Sequence, residues 1–291
     1  MGKIVAIGGG NPARPLWPEF QDCNTYEIDR EIFRLAGSYH AKLAFIPTAS
    51  YDDEDYICRM TEYFSNEFGA DVNVIRVAGE GGINIKGKGV APRVSALKEI
   101  EKQILDSDII YVGWGDTDFM MRCWKKTGLD KLLKKAWKMG KVCAGISAGG
   151  DCWFQSAFAD FIEERDCTDG IEEPHSRAGD YENKSDEDKN GCRKIKVRGF
   201  HVVRCLDIVP AMFCPHYNSD KDRRVELKKY LTTHPAPIIC ADDGAALEIV
   251  DGRWRSISSC RNSNVRIVMP ADNVPKKHSL CEMSHQNDEA H

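Results

Sequence analysis

The segment Lys141-Val142-Cys143-Ala144-Gly145-Ile146-Ser147-Ala148-Gly149-Gly150 decides how this chain is read. Its apolar first half reads as a strand and its small-residue second half as the start of a helix, with G-x-S-x-G at the junction. Small neighbours at Gly145 and Gly149 allow Ser147 a strained backbone position, its hydroxyl pointing out of the sheet edge. A helix beginning at Ala148 turns unpaired N–H groups and a positive dipole end toward a developing oxyanion. Ser147 is therefore the candidate nucleophile, on a nucleophile elbow.

Outward from the elbow, short apolar runs recur at Ile4-Val5-Ala6-Ile7, Leu43-Ala44-Phe45-Ile46, Val72-Asn73-Val74-Ile75 and Ile109-Ile110-Tyr111-Val112. Between them lie helical-period stretches at Tyr26 to Leu35, Pro92 to Leu105 and Leu129 to Met139. The runs are continuous rather than alternating, the mark of parallel strands buried on both faces by crossover helices. The expected fold is an α/β three-layer sandwich with a mostly parallel central sheet. Cys152-Trp153-Phe154 reads as helix-like. Further on, order returns at Phe200-His201-Val202-Val203, followed by a helix from Lys221 to Leu231. Strands are expected near Ile238-Ile239-Cys240, Ala246 to Val250 and Val265 to Val268.

Residues 165–196 read as a charged surface insertion, because Asp180 to Asn190 holds one aromatic and no aliphatic residue. The polar, His-bearing residues 275–291 read as a disordered tail. With neither an internal repeat nor a linker in sight, residues 1–274 are expected to form a single domain.

The 291 residues carry 40 Lys+Arg against 45 Asp+Glu, a net charge of −5, and are 42% hydrophobic. That balance fits a globular protein with a sizeable core and lacks the basic footprint of a nucleic-acid binder. No apolar run approaches the ~20 residues that span a bilayer, and Met1-Gly2-Lys3 leads directly into a strand, so a cytoplasmic protein without membrane attachment is expected. The 12 cysteines are spread along the chain with no C-x-x-C pair; reduced thiols are expected and a metal site is not.

A serine nucleophile needs a base. His216, in Phe213-Cys214-Pro215-His216-Tyr217-Asn218, follows an apolar segment and a proline that fixes the chain before it. His201, beside a strand, is its competitor. The base in turn needs an acid, and Asp160, Glu163 and Glu164 lie between the two. Of these, Asp160 has the most apolar surroundings, Phe158-Ala159-Asp160-Phe161, where a carboxylate requires a hydrogen-bonding partner. Two glycine turns also follow strands. Gly113-Trp114-Gly115-Asp116-Thr117 offers amides to complete an oxyanion hole, and Gly8-Gly9-Gly10-Asn11-Pro12-Ala13 matches G-x-G-x-x-A. Pro12 interrupts the second turn, and no acidic residue closes the next strand, which weighs against a dinucleotide site.

Taken in order, Gly8-Gly9-Gly10, Ile46-Pro47-Thr48-Ala49, the turn at 113–117, the Ser147 elbow and Pro215-His216 resemble the dipeptidase E and cyanophycinase family of serine peptidases. The resemblance runs over roughly residues 3 to 250 and implies a class I glutamine amidotransferase-like (flavodoxin-like) fold. It implies Ser147 as nucleophile, His216 as base, Asp160 as acid, and Gly115 and Ala148 as oxyanion donors, with no metal or organic cofactor. The family's acidic substrates imply a basic recognition residue, Arg223 or Arg224, and Arg224 and Asp116 are the expected substrate contacts. The usual G-G-G-N-T turn reads Gly113-Trp114-Gly115-Asp116-Thr117 here, and Asp116 disfavours an acidic substrate unless an arginine offsets it. The expected activity is serine-type hydrolysis of small peptides with an N-terminal Asp or other acidic residue, by a monomer or homodimer. An amidase on the same fold and a non-catalytic small-molecule binding module are the alternatives.

Overall fold

Apolar side chains alternate between the two faces of the central strands, so each strand needs a cover on both sides. The computed structural model describes residues 2–12, 23–38, 40–78, 94–166 and 194–270. In chain order these form β1 (Lys3–Ile7), α1 (Tyr26–Ala36), β2 (Lys42–Ile46), α2 (Glu54–Phe68), β3 (Asp71–Val74), α3 (Val94–Asp106), β4 (Ile109–Val112), α4 (Thr117–Thr127), α5 (Leu129–Lys138), β5 (Val142–Ile146) and α6 (Ala148–Asp151). Then follow β6 (Phe154–Asp166), β7 (Lys194–Arg204), β8 (Val209–Cys214), α7 (Lys221–Thr233), β9 (Ile238–Ala241), β10 (Ala245–Val250), β11 (Arg253–Ser258) and β12 (Val265–Val268).

The main sheet has seven strands in the order β11-β10-β1-β5-β4-β2-β3. From β1 to β3 all neighbours are parallel, while β10 and β11 add antiparallel at one edge. One face carries Val5, Ile7, Leu43, Phe45, Tyr111 and Ala144 against the apolar faces of α1 and α2. The opposite face carries Ile4, Ala6, Ala44, Ile110 and Cys143. The strand ends are level: Ile7 pairs with Ile146, Gly145 with Val112, and Val112 with Ile46. The loops after β1, β2, β4 and β5 therefore leave the same edge, where ligands bind in open α/β sheets.

The α/β class and the mostly parallel central sheet match the sequence reading. The second face departs from the expected helix layer. Helices α3, α4 and α5 cover part of it, and a five-stranded sheet in the order β12-β9-β8-β6-β7 covers the rest, through Phe154, Val209, Phe213, Ile239 and Val265. Cys152-Trp153-Phe154 is not helical: α6 stops at Asp151 and β6 begins at Phe154. A short apolar run has no periodicity to separate a buried strand from a helix. The charged insertion is also shorter than expected, since β6 and β7 stay paired out to Asp166 opposite Lys194. Its remainder, 167–193, and the tail at 275–291 lie outside the described residues. Cys58, Cys123, Cys143, Cys152, Cys205, Cys214 and Cys240 are free thiols. Among the described residues no helix is long and apolar enough to cross a membrane.

Candidate active site

Ser147 stands between β5 and α6 with φ 55° and ψ −116°, a region that non-glycine residues occupy only under constraint. The constraint is visible in the packing. A Cβ on Gly149 would lie 2.0 Å from the Val112 carbonyl oxygen, and one on Gly145 would lie 2.3 Å from that of Gly149. The elbow is thus pressed onto the end of β4 and leaves no room for a side chain at Gly145 or Gly149. The Ser147 N–H is tied to the Ile7 carbonyl at 3.0 Å, and its carbonyl accepts from the N–H groups of Gly150 and Asp151.

His216 follows β8 and Pro215 and is also left-handed, with φ 54°. Its N–H donates to the Gly8 carbonyl at 3.0 Å, which brings the end of the second sheet against the first glycine turn. Its Nε2 lies 2.8 Å from Ser147 Oγ, and its Nδ1 lies 2.6 Å from Asp243 Oδ1. An ionised carboxylate only accepts, so Nδ1 donates to Asp243 and Nε2 is left to accept from the serine hydroxyl. Burial pushes the Asp243 carboxyl up, but hydrogen bonds from His216 and Ser219 and the charges of His216 and Arg223 outweigh it and hold it below the ordinary value of 3.8. The carboxylate form is the one that orients an imidazole. Gly9 lies directly over this contact: a Cβ there would be 2.0 Å from Asp243 Oδ1 and 2.4 Å from His216 Nδ1.

The turn after β4 sits beside the elbow. Gly113 N–H donates to Ile46 and Asp116 N–H to Ala49, seating the turn on the loop after β2. Trp114 N–H donates to the Tyr56 hydroxyl at 3.3 Å, and the two rings pack with centroids 4.7 Å apart. Thr117 Oγ1 donates to Asp151 Oδ2 at 2.8 Å at the far end of α6. The turn is therefore fastened to α6 at both ends, through the Gly149 contact and the Thr117 bond. Among the described residues neither the Gly115 nor the Ala148 N–H has a protein acceptor.

Three expected site residues are engaged by groups of the protein itself. Asp160, on β6, does not reach His216; its carboxylate takes Arg223 Nη2 at 2.7 Å and Arg198 Nε at 2.9 Å. The same two arginines hold Asp220, forming a four-membered ionic cluster that clamps α7 to the second sheet. Burial raises the Asp160 carboxyl, and the two guanidinium charges with their hydrogen bonds overcome it and leave it lowered. The partner that its apolar neighbourhood required is thus a buried arginine rather than the base. Arg224 Nη1 donates to the carbonyls of Tyr217 and Asn218, both at 2.6 Å. Asp116 caps α4, accepting the Phe119 N–H on Oδ1, and takes the Tyr51 hydroxyl on Oδ2. His201 lies on β7 with its ring against Phe161, away from these groups. Side chains of Glu163 and Glu164 lie outside the described residues.

Asp243 is the functional candidate that the sequence reading missed. It belongs to Ala241-Asp242-Asp243-Gly244, the turn that carries the chain from β9 in one sheet to β10 in the other. The signal available was a D-D-G turn between two apolar strands. The adjacent Asp242 faces away, accepting from Asn264 N–H and pairing with Arg266. Among the described residues no three His, Cys, Asp or Glu side chains gather as a metal site.

The α/β fold sets a serine, a histidine and an aspartate in one line, and comparison with known proteins gives the family. Residues 18–257 match the model of Peptidase family S51, and the chain belongs to that family. YgaJ, an uncharacterized peptidase of Bacillus subtilis (strain 168), is 26% identical over 288 residues, covering 97% of this chain and 96% of its own. Two crystal structures share the fold. A candidate peptidase E protein from Listeria monocytogenes EGD-e is 19% identical with a TM-score of 0.53, over 89% of this chain and 98% of that one. A peptidase from an acI-B1 actinobacterium is 14% identical with a TM-score of 0.56, over 93% and 95%.

Proposed function

We propose that this peptidase is of the serine type and hydrolyses small peptides, with Ser147 as nucleophile, His216 as general base and Asp243 as the acid that orients it. The observation that carries the reading is the unbroken line from Asp243 Oδ1 to His216 Nδ1 at 2.6 Å and from His216 Nε2 to Ser147 Oγ at 2.8 Å. Ser147 Oγ attacks the scissile carbonyl carbon as Nε2 takes its proton, and the negative charge moves to the carbonyl oxygen. The Gly115 and Ala148 N–H groups are the proposed donors to that oxyanion, the second reinforced by the short α6. Collapse of the tetrahedral intermediate transfers the proton to the leaving amine. Water then enters, His216 again acts as base, and the acyl-enzyme is hydrolysed.

Substrate preference is where this chain parts from the acidic specificity its motifs imply. Arg223 and Arg224, the cations expected to hold an acidic side chain, donate to Asp160, Asp220, Phe158 and the 217–218 carbonyls, while Asp116 stands one residue from Gly115. We expect Asp-X dipeptides to have no advantage over Leu-X.

The test is hydrolysis of Asp-X, Glu-X, Leu-X, Arg-X and β-aspartyl dipeptides by wild type and Ser147→Ala, alongside labelling with a fluorophosphonate. Cleavage and stoichiometric labelling that both vanish in Ser147→Ala support the reading. Folded wild-type protein that neither cleaves nor labels would point to a binding module. Cleavage confined to Asp-X would restore the acidic preference.

A further inference from the structure

Two consecutive arginines at the start of α7 face different tasks. Arg223 is buried and bonded to Asp160, Asp220 and the Phe158 carbonyl, which fixes α7 to the second sheet. Arg224, on the adjoining face of the same helix, directs both hydrogens of Nη1 back to the Tyr217 and Asn218 carbonyls, at 2.6 Å each. Those carbonyls belong to the turn that immediately follows His216. Asn218 then reaches onward: its Oδ1 accepts the Asp243 backbone N–H at 2.8 Å. A continuous path of hydrogen bonds thus runs from the fixed helix through the His216 turn to the backbone of the residue that orients the imidazole.

We propose that Arg224 and Asn218 are positioning residues for the His216–Asp243 pair, an inference that rests on the triad reading above. The physical need is specific. His216 holds a left-handed φ of 54°, a conformation that relaxes unless its surroundings impose it. Asp243 sits in a turn between two sheets, where its own N–H donates to Asn218 Oδ1 and the next N–H, of Gly244, to the Gly9 carbonyl. Charge-assisted bonds to two successive carbonyls are stronger than neutral ones and hold the 217–218 peptide groups in a single orientation. From that orientation Asn218 sets where the Asp243 backbone lies. A displacement of about 1 Å in such a constellation costs about 100-fold in rate.

This assignment differs in outcome from a substrate-binding Arg224. As positioning residues, Arg224→Gln and Asn218→Ala each lower kcat about 10- to 100-fold with KM little changed. The double variant loses hardly more than the worse single one, because both act through one path. The low-field proton resonance of the His216–Asp243 hydrogen bond weakens or moves in both single variants, a signature that a merely structural role leaves in place. Arg224→Lys, whose single nitrogen also carries hydrogens for both carbonyls, recovers part of the lost kcat. A raised KM for Asp-X at unchanged kcat would overturn the proposal in favour of substrate binding. An unmoved proton resonance with full kcat would also overturn it. Asp243→Asn separates the two layers: full activity there removes the triad reading itself, whereas a large loss there with none in Arg224→Gln and Asn218→Ala removes only the positioning role.

Discussion

Ser147 and His216 are both non-glycine residues at positive φ, 55° and 54°, and their side chains meet. Strain of this kind persists only where the surroundings over-determine it, and here each backbone is tied to the β1 end: Ser147 N–H to Ile7 and His216 N–H to Gly8. The two aspartates weighed for the acid give opposite expectations. Asp243→Asn replaces an acceptor by an amide, favours the wrong imidazole tautomer, and is expected to lower kcat about 10⁴-fold with little change in fold. Asp160→Asn weakens the partnership of buried Arg223 and is expected to lower stability by about 1–2 kcal/mol, discounted for the partial exposure of Asp160, with kcat within a few-fold of wild type. Steady-state kinetics and thermal melts on the two variants check both.

At the scale of elements, the site depends on backbone approaching backbone at the β5–α6 elbow and backbone approaching side chains at the β1 end. Gly149→Ala would set a methyl 2.0 Å from the Val112 carbonyl, an atom fixed in the central ladder, so the elbow must separate from β4. A marked fall in melting temperature and loss of activity are expected together. Gly9→Ala meets Asp243 Oδ1 and His216 Nδ1, which are side-chain atoms able to rotate away. The expected result is a near-native melting temperature with kcat reduced more than 100-fold. Circular dichroism melts beside kinetics separate the two cases, and a matched loss of stability in both would contradict the distinction.

Across the whole molecule, the proposed catalytic line is assembled from two sheets. Ser147 ends a main-sheet strand, His216 follows β8 of the second sheet, and Asp243 lies on the crossing between them. Two buried carboxyls outside that line contribute to how stability follows pH. Burial drives Asp29 up to about 7 against hydrogen bonds from Thr25 and Tyr63. It does the same to Asp151, to about 7, against the Thr117 bond and the Arg223 charge. From an ordinary value of 3.8 up to about 7 the folded protein keeps protons that the unfolded chain has released. Stability therefore falls as pH rises through that window, by up to roughly 1.4 kcal/mol per unit for each group, and levels off above it. The lowered carboxyls Asp160, Asp220 and Asp243 act in the other direction: their contribution is present above the ordinary carboxylate range and lost as pH falls through their folded values. Calorimetry from pH 5 to 8 is expected to show the decline, and Asp29→Asn, which stays neutral throughout, to flatten it. An unchanged slope in that variant would contradict the assignment.

The apolar runs, their lack of alternation and the glycines around Ser147 were enough to establish a parallel sheet with an elbow at its edge, because burial on both faces and close backbone approach leave their mark on adjacent residues. Pro215-His216 was legible for the same reason. Asp243 was not, since it stands 27 positions beyond His216 and carries no mark that Asp242 lacks. Nor did the sequence distinguish an arginine that grips substrate from Arg224, which grips its own chain, or a helical layer from the second sheet. Those outcomes depend on which strands pair across long stretches of chain. Local periodicity records whether a side chain is buried; only the packing of the two sheets decides which carboxylate meets the imidazole.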